Sequence, residues 1–138
     1  MRSDYLNANS GAFLEGVAVK GDHTEQHAAD VTLNAVQDVG GVHIVTAADK
    51  TVTLPAVGTG QKYTVVLGVD LGASEYLRVD PNASDKWLGG CGLAASTDGK
   101  YIGVTGTKAG AVITCEYGTA DGWFITRMDD ASAWTYES

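Results

Sequence analysis

Two histidines lie four residues apart near the start of the chain, with acidic residues beside them. His23 and His27 are flanked by Asp22 and Glu25. On a helix, histidines at this spacing share one face and can bind a metal ion together. A zinc site needs three or four ligands with supporting hydrogen bonds, however, and His43 is the only other histidine in the sequence. We therefore predict a solvated polar segment here, with no metal and no cofactor.

The other candidate reactive groups lack the partners that catalysis requires. Cys91 and Cys115 are too few for a disulfide scaffold, and we expect both to be free and to act as small apolar residues. Cys115 lies on the apolar face of a predicted strand, where thiols are usually inert. Residues 80–85 carry oxygens at alternating positions, but they lack the glycine and the closing glutamate of a calcium loop. Because no nucleophile, base and orienting group occur together, we predict that the protein is not an enzyme.

Three tryptophans, Trp87, Trp123 and Trp134, are the best candidates for contact residues. Tryptophan is enriched at the anchors of protein interfaces, so these residues are our candidates for contacts between subunits. Core packing is the alternative, above all for Trp87 and Trp123. Exposed aromatic rings could also stack on sugars, which keeps a carbohydrate-binding function open.

The composition of the chain excludes several classes of partner. Its 138 residues suggest one domain, and 44% hydrophobic with 19% charged residues is not a disordered composition. The net charge is −8, whereas nucleic-acid binding usually needs a basic face, and anionic membranes are disfavoured for the same reason. No apolar run approaches the roughly 20 residues that span a bilayer. The N-terminus lacks the apolar core of a signal peptide, so we expect folding in a cytoplasm.

Short segments of alternating apolar and polar residues predict an all-β protein. Eighteen glycines with two prolines suit tight turns between many strands, including hairpin turns at Asp98-Gly99 and Asp121-Gly122. A helix over residues 25–37 is the competing interpretation of the first predicted strand. About eight or nine strands without a βαβ pattern predict an antiparallel β-sandwich or barrel-like domain. The predicted strands cover residues 31–37, 42–46, 51–54, 61–69, 76–79, 101–105, 111–117 and 123–127.

The sequence divides into an N-terminal arm, residues 1–30, and a β domain, residues 31–138. The arm contains a turn-forming stretch, one short apolar stretch and a polar stretch without periodicity. We predict that it is only partly ordered in the free protein, because chain ends are poorly ordered unless something ties them down. Its apolar residues Phe13, Leu14 and Val17 are the candidates for binding a partner.

The order of the strand and turn segments resembles that of bacteriophage capsid decoration and head-fibre proteins. The matching segments are residues 45–49, 52–56, 63–67, 79–85, 89–90, 101–104 and 122–125. The resemblance implies a small β protein, typically a homotrimer, that binds the major capsid protein on the virion surface and is assembled in the host cytoplasm. It also implies that the arm contacts the shell and that the protein stabilises the capsid without chemistry. A tail-fibre or receptor-binding domain that binds a cell-surface glycan is the alternative.

Overall fold

The computed structural model describes residues 23–58, 61–129 and 133–138. These residues form strands and turns, and none of them lies in a helix that could cross a membrane. The candidate binding residues Phe13, Leu14 and Val17 lie outside the described residues. The strands are β1 (Thr24–His27), β2 (Val31–Thr32), β3 (Val42–Val45), β4 (Lys50–Thr53), β5 (Lys62–Leu67), β6 (Tyr76–Asp80), β7 (Lys86–Gly89), β8 (Ile102–Thr105), β9 (Val112–Thr119), β10 (Gly122–Met128) and β11 (Thr135–Tyr136).

The strands form two sheets that pack together as a sandwich, which confirms the predicted all-β fold. The six-stranded sheet has the order β1-β3-β5-β9-β10-β7, and the five-stranded sheet has the order β11-β8-β6-β4-β2. Both sheets are mixed, whereas the sequence predicted antiparallel pairing. The prediction assumed that consecutive strands pair with each other. In the first half of the chain, strands that are adjacent in a sheet are not consecutive in sequence.

The first six strands alternate between the two sheets, so the chain coils around the interior. β1, β3 and β5 are parallel neighbours in one sheet, and β2, β4 and β6 are parallel neighbours in the other. Parallel strands need a long crossover connection, and here a strand of the opposite sheet supplies it. The registers align Thr24 with Val42 and Thr64, and Val31 with Val52 and Val79. Residues 24–80 therefore form three turns of a coil, each with one strand in each sheet.

Side chains that alternate along the strands fill the space between the sheets. Tyr63, Val65 and Leu67 of β5 are fully buried, as are Leu77 and Val79 of β6 on the other sheet. Their neighbours in sequence are only partly buried, which is the period-two pattern of a strand with one face in the core. Full burial of each such aliphatic side chain contributes about 1.5–3 kcal/mol to folding.

The tryptophans are core residues of the single chain. Trp87, Trp123 and Trp134 are 0%, 0% and 1% exposed. The Trp87 ring nitrogen donates a hydrogen bond to the main-chain oxygen of Lys100, and the Trp123 ring packs edge-to-face against Tyr63. The prediction that the three rings anchor contacts between subunits is therefore wrong, because no ring surface remains for a partner. The core-packing alternative describes them.

The folded body begins before the predicted boundary at residue 31. Thr24–His27 is a strand of the larger sheet, so residues 24–30 belong to the body and not to a separate arm. The predicted strand over 31–37 ends at Thr32, and no helix replaces it. The Asn34 side chain accepts hydrogen bonds from the main-chain nitrogens of Val36 and Gln37, which turns the chain.

One predicted hairpin is present and the other is not. Asp121-Gly122 joins the antiparallel strands β9 and β10, as the sequence predicted. The Asp98-Gly99 hairpin prediction is wrong, since β8 pairs with β6 and β11 and residues 94–97, directly before the turn, are not in a strand. Four successive residues from the end of β7 have positive φ, at 98°, 129°, 51° and 90° for residues 89–92. A side chain on Gly90 would overlap the main-chain oxygen of Ile125.

Two neighbouring aromatic residues of β10 test the assignment of the core. We expect Trp123→Ala to lower the free energy of unfolding by about 3–5 kcal/mol, because it leaves a large cavity. Phe124 is 44% exposed, and we expect Phe124→Ala to cost about 1 kcal/mol or less. Urea denaturation followed by circular dichroism measures both. Equal losses in the two variants would contradict the inward position of Trp123.

Candidate functional site

All three histidines of the chain lie together at the edge of the six-stranded sheet formed by β1. β1 pairs with β3 in a register that places Glu25 opposite His43. Because side chains alternate along a strand, His23, Glu25 and His27 share the face to which His43 belongs. His43 is 0% exposed, so this is the inner face of the sandwich. We call the set His23, Glu25, His27, Asp38 and His43 the histidine cluster.

Three atoms of the histidine cluster form a compact triangle. The Nε2 atom of His27 lies 3.0 Å from the Nδ1 atom of His43. One carboxylate oxygen of Glu25 lies 3.6 Å from each of these nitrogens. The two imidazole rings are stacked, with centroids 5.2 Å apart. The exposed fraction of the side chain rises from 0% for His43 through 14% for His27 to 46% for Glu25, so the triangle runs from the core to solvent.

The hydrogen bonds of the cluster define the protonation of His43. Its Nε2 atom lies 3.1 Å from the main-chain oxygen of Asp38, which can only accept, so this nitrogen carries a proton. Burial lowers the pKa of His43 and favours the neutral ring, although the Asp38 carbonyl opposes that shift. A neutral ring protonated at Nε2 has its lone pair on Nδ1. With this tautomer, His43 Nδ1 accepts the 3.0 Å hydrogen bond from His27 Nε2.

His23 and Asp38 lie on the other side of the His43 ring. The His23 ring contacts His43 edge-to-face, with centroids 5.9 Å apart. His23 Nε2 lies 4.0 Å from a carboxylate oxygen of Asp38, whose other oxygen accepts a 2.6 Å hydrogen bond from the main-chain nitrogen of Asn34. One ligand atom from each of His23, Glu25, Asp38 and His43 lies within 4.8 Å of the others. The cluster therefore brings imidazole and carboxylate groups within range of one ion.

The prediction that residues 23–27 belong to a separate arm is wrong, because Thr24–His27 is a strand of the sheet and the segment meets His43 and Asp38. The prediction of a solvated polar segment agrees with the exposure of Thr24, Glu25 and Gln26. The error lay in the assumed period. His23 and His27 were compared at helical spacing, where Glu25 lies off their shared face. On a strand all three residues alternate onto one face, so the pattern His-x-Glu-x-His was the available signal.

A groove on the outer face of the five-stranded sheet is the second candidate site. Its volume is about 350 Å³, and Tyr76, Arg78, Tyr101 and Tyr136 contribute to its walls. The guanidinium carbon of Arg78 lies 3.8 Å from the Tyr76 ring centroid and 4.4 Å from the Tyr101 ring centroid. Arg78 thus covers ring faces on which a sugar would stack, and cation–π contacts of this kind hold it there.

The cysteines offer no activated nucleophile. Cys115 is fully buried in β9, and desolvation raises its pKa, which keeps the thiol protonated at neutral pH. Cys91 is exposed in the loop after β7, and its thiol donates a long hydrogen bond to the main-chain oxygen of Ile125. Both cysteines are free, as the sequence predicted. Cys115 also has the predicted role of a small core residue, whereas Cys91 does not.

The difference between the two thiols can be measured with a thiol reagent. We expect one thiol per native chain to react rapidly with a chromogenic disulfide at mildly alkaline pH, because only Cys91 is accessible. The second thiol should react after unfolding in denaturant. The Cys91→Ser variant should show no rapid reaction. Two rapidly reacting thiols in the native protein would contradict the burial of Cys115.

No protein-family model matches the chain, and no curated protein is significantly similar to it. The function has to be argued from the fold, the edges of its sheets and the two candidate sites.

Proposed function

We propose that this protein is a bacteriophage virion structural protein that decorates the outer capsid surface as a homotrimer. It binds the major capsid protein and stabilises the shell by bridging neighbouring subunits. The proposal starts from the resemblance in the order of strand and turn segments, and the all-β sandwich is the class of fold that this resemblance implies. The position of the first two strands is the main structural support for the proposal.

β1 and β2 are consecutive in the chain, and each is an edge strand of its sheet, with β7 and β11 at the opposite edges. The main-chain oxygens of His23 and His27 accept hydrogen bonds from Val42 and Thr46, at either end of β3. Main-chain groups alternate in direction along a strand, so those of Thr24 and Gln26 point away from β3. An extended segment of a partner can add to such an edge through main-chain hydrogen bonds. The first strands thus offer a docking edge directly after residues 1–22.

A trimer would strengthen this contact without any new interaction. Three subunits present three copies of the edge and of the preceding residues to the shell. Once one copy is bound, the others meet their sites at a high effective concentration, and the overall affinity can exceed that of one site by about 10²–10⁴-fold. Weak individual contacts then suffice to bridge capsid subunits.

Removal of residues 1–20 tests the role of the N-terminal segment. We expect the intact protein to elute with the mass of three 14.3 kDa chains and to co-sediment with shells of the major capsid protein from the same genome. The truncated protein should remain a trimer with an unchanged melting temperature, because all described strands follow the deletion. It should lose capsid binding. Gln26→Pro, which removes an outward N–H, should weaken binding at least about tenfold, and Gln26→Val is its matched control. Full binding by the truncated protein would contradict the proposal.

The groove beside Arg78 is the observation that favours the alternative, a receptor-binding domain for a cell-surface glycan. Aromatic walls suit sugars, but Arg78 covers the rings of Tyr76 and Tyr101. We therefore expect no signal for the intact protein on a glycan array at high protein concentration. A signal that Tyr101→Ala abolishes and that Tyr117→Ala, on the other sheet, leaves intact would replace decoration by glycan binding as the proposed function.

A further inference from the structure

We propose that the histidine cluster binds one divalent transition-metal ion of the Zn²⁺ type through His27 Nε2, His43 Nδ1 and the carboxylate of Glu25. This inference goes beyond capsid decoration and does not depend on it. Metal binding is a property of the isolated chain and can be tested without a capsid.

The triangle formed by the three ligand atoms has the dimensions of a zinc site. Its sides are 3.0, 3.6 and 3.6 Å. A point equidistant from the three atoms lies roughly 2.0 Å from each, which is the usual length of Zn–N and Zn–O bonds. For metal binding, the hydrogen that His27 Nε2 donates to His43 Nδ1 would move to Nδ1 of the His27 ring. This change of tautomer leaves a lone pair on His27 Nε2 for the ion.

The surroundings of His43 match those of a metal ligand. Histidines that bind metals almost always donate their second ring N–H to a carbonyl or a carboxylate, which fixes the tautomer and the ring. His43 does so through Nε2, at 3.1 Å from the Asp38 oxygen. Its ring is fully buried, so its orientation is fixed before the ion arrives. Glu25 is 46% exposed, which leaves a path for entry and a fourth position for water.

The ligand set with His23 and Asp38 fits an ion less well. The Nε2 atom of His23 lies 4.0 Å from the nearer carboxylate oxygen of Asp38. Two ligands at zinc bond lengths are about 3.4 Å apart in a tetrahedral site. His23 and Asp38 therefore lie outside the proposed ligand set, and Asp38 acts on His43 through its main-chain oxygen. Two imidazole ligands also select against Mg²⁺ and Ca²⁺, which prefer oxygen.

The bound ion would join two strands of the sheet. Glu25 and His27 belong to β1, and His43 belongs to β3. β1 is an edge strand of four residues that pairs only with β3 among the described strands. Metal binding that requires the folded strand adds its free energy to the stability of that strand. The ion would thus stabilise the strand that follows the N-terminal segment.

The test uses the full chain without an affinity tag, because histidine tags bind the same metals. After treatment with a chelator, the protein is titrated with ZnCl₂ in a calorimeter, and the bound metal is counted by mass spectrometry after gel filtration. We expect one Zn²⁺ per chain. At about a hundredfold excess over the dissociation constant, the melting temperature should rise by about 10 °C. MgCl₂ and CaCl₂ should produce no shift.

Four variants decide the ligand set. Glu25→Gln and His27→Gln each remove one proposed ligand from an edge strand, and each should weaken Zn²⁺ binding at least about tenfold. His23→Gln, at the start of the same face, and Glu116→Gln, on β9 of the same sheet, should bind as the intact protein does. Melting curves without metal check that all four variants fold.

Two results would overturn the proposal. One is the absence of stoichiometric Zn²⁺ binding by the intact protein. The other is binding that survives in Glu25→Gln and His27→Gln, or that is lost in His23→Gln and retained in His27→Gln. Loss of capsid binding by the intact protein would count against decoration alone and would leave the metal site in place.

Discussion

Burial of one face of each sheet against the other is the constraint on which the rest of the structure depends. The inward residues of β5 and β6, among them Tyr63, Leu67 and Leu77, are fully enclosed. Ordering the backbone costs about 1–2 kcal/mol per residue, and apolar burial on this scale is the main term that offsets it. A buried polar group without a hydrogen-bond partner is costly, and the Tyr63 hydroxyl has none among the described residues. His43, the inward polar residue of β3, has partners on both ring nitrogens, and they belong to the histidine cluster.

The coiled path of the chain determines where such a cluster can form. In the middle of the coil, an inward position is enclosed by strands on both sides and by the opposite sheet. At β1 the coil ends, so inward side chains reach both the core and solvent. Glu25 and His27 extend from this edge toward His43, while Val45 and Val65, on positions beside His43, remain in the core. Polar side chains at the end of the coil therefore do not disturb the apolar packing in its middle.

Local pattern predicted eight of the eleven described strands, but not β1, β7 and β11, and not which strands pair. The apolar residues around Tyr63 and Val79 identified β5 and β6, and Asp121-Gly122 identified the β9–β10 hairpin. The parallel pairs among the first six strands join strands that are two elements apart, and β7 pairs with β10 across three. Without an exact repeat, nothing local specifies such a register. Trp123 was ambiguous because tryptophan serves both cores and interfaces. The histidine cluster was missed because His43 meets His27 only through the pairing of β1 with β3.

The coiled path of the chain also determines which strand a pulling force separates first. β1 is held to the body by its parallel ladder with β3, whereas β9 and β10 pair antiparallel over most of their length deep in the same sheet. A pull at residue 23 directed across β1 and away from β3 acts first on β1, and it loads the hydrogen bonds of this edge strand one after another. Detachment of β1 exposes β3 as the new edge, with the remaining turns of the coil still stacked. The fold therefore yields from one end, one turn of the coil at a time, while the hairpin half keeps its shape.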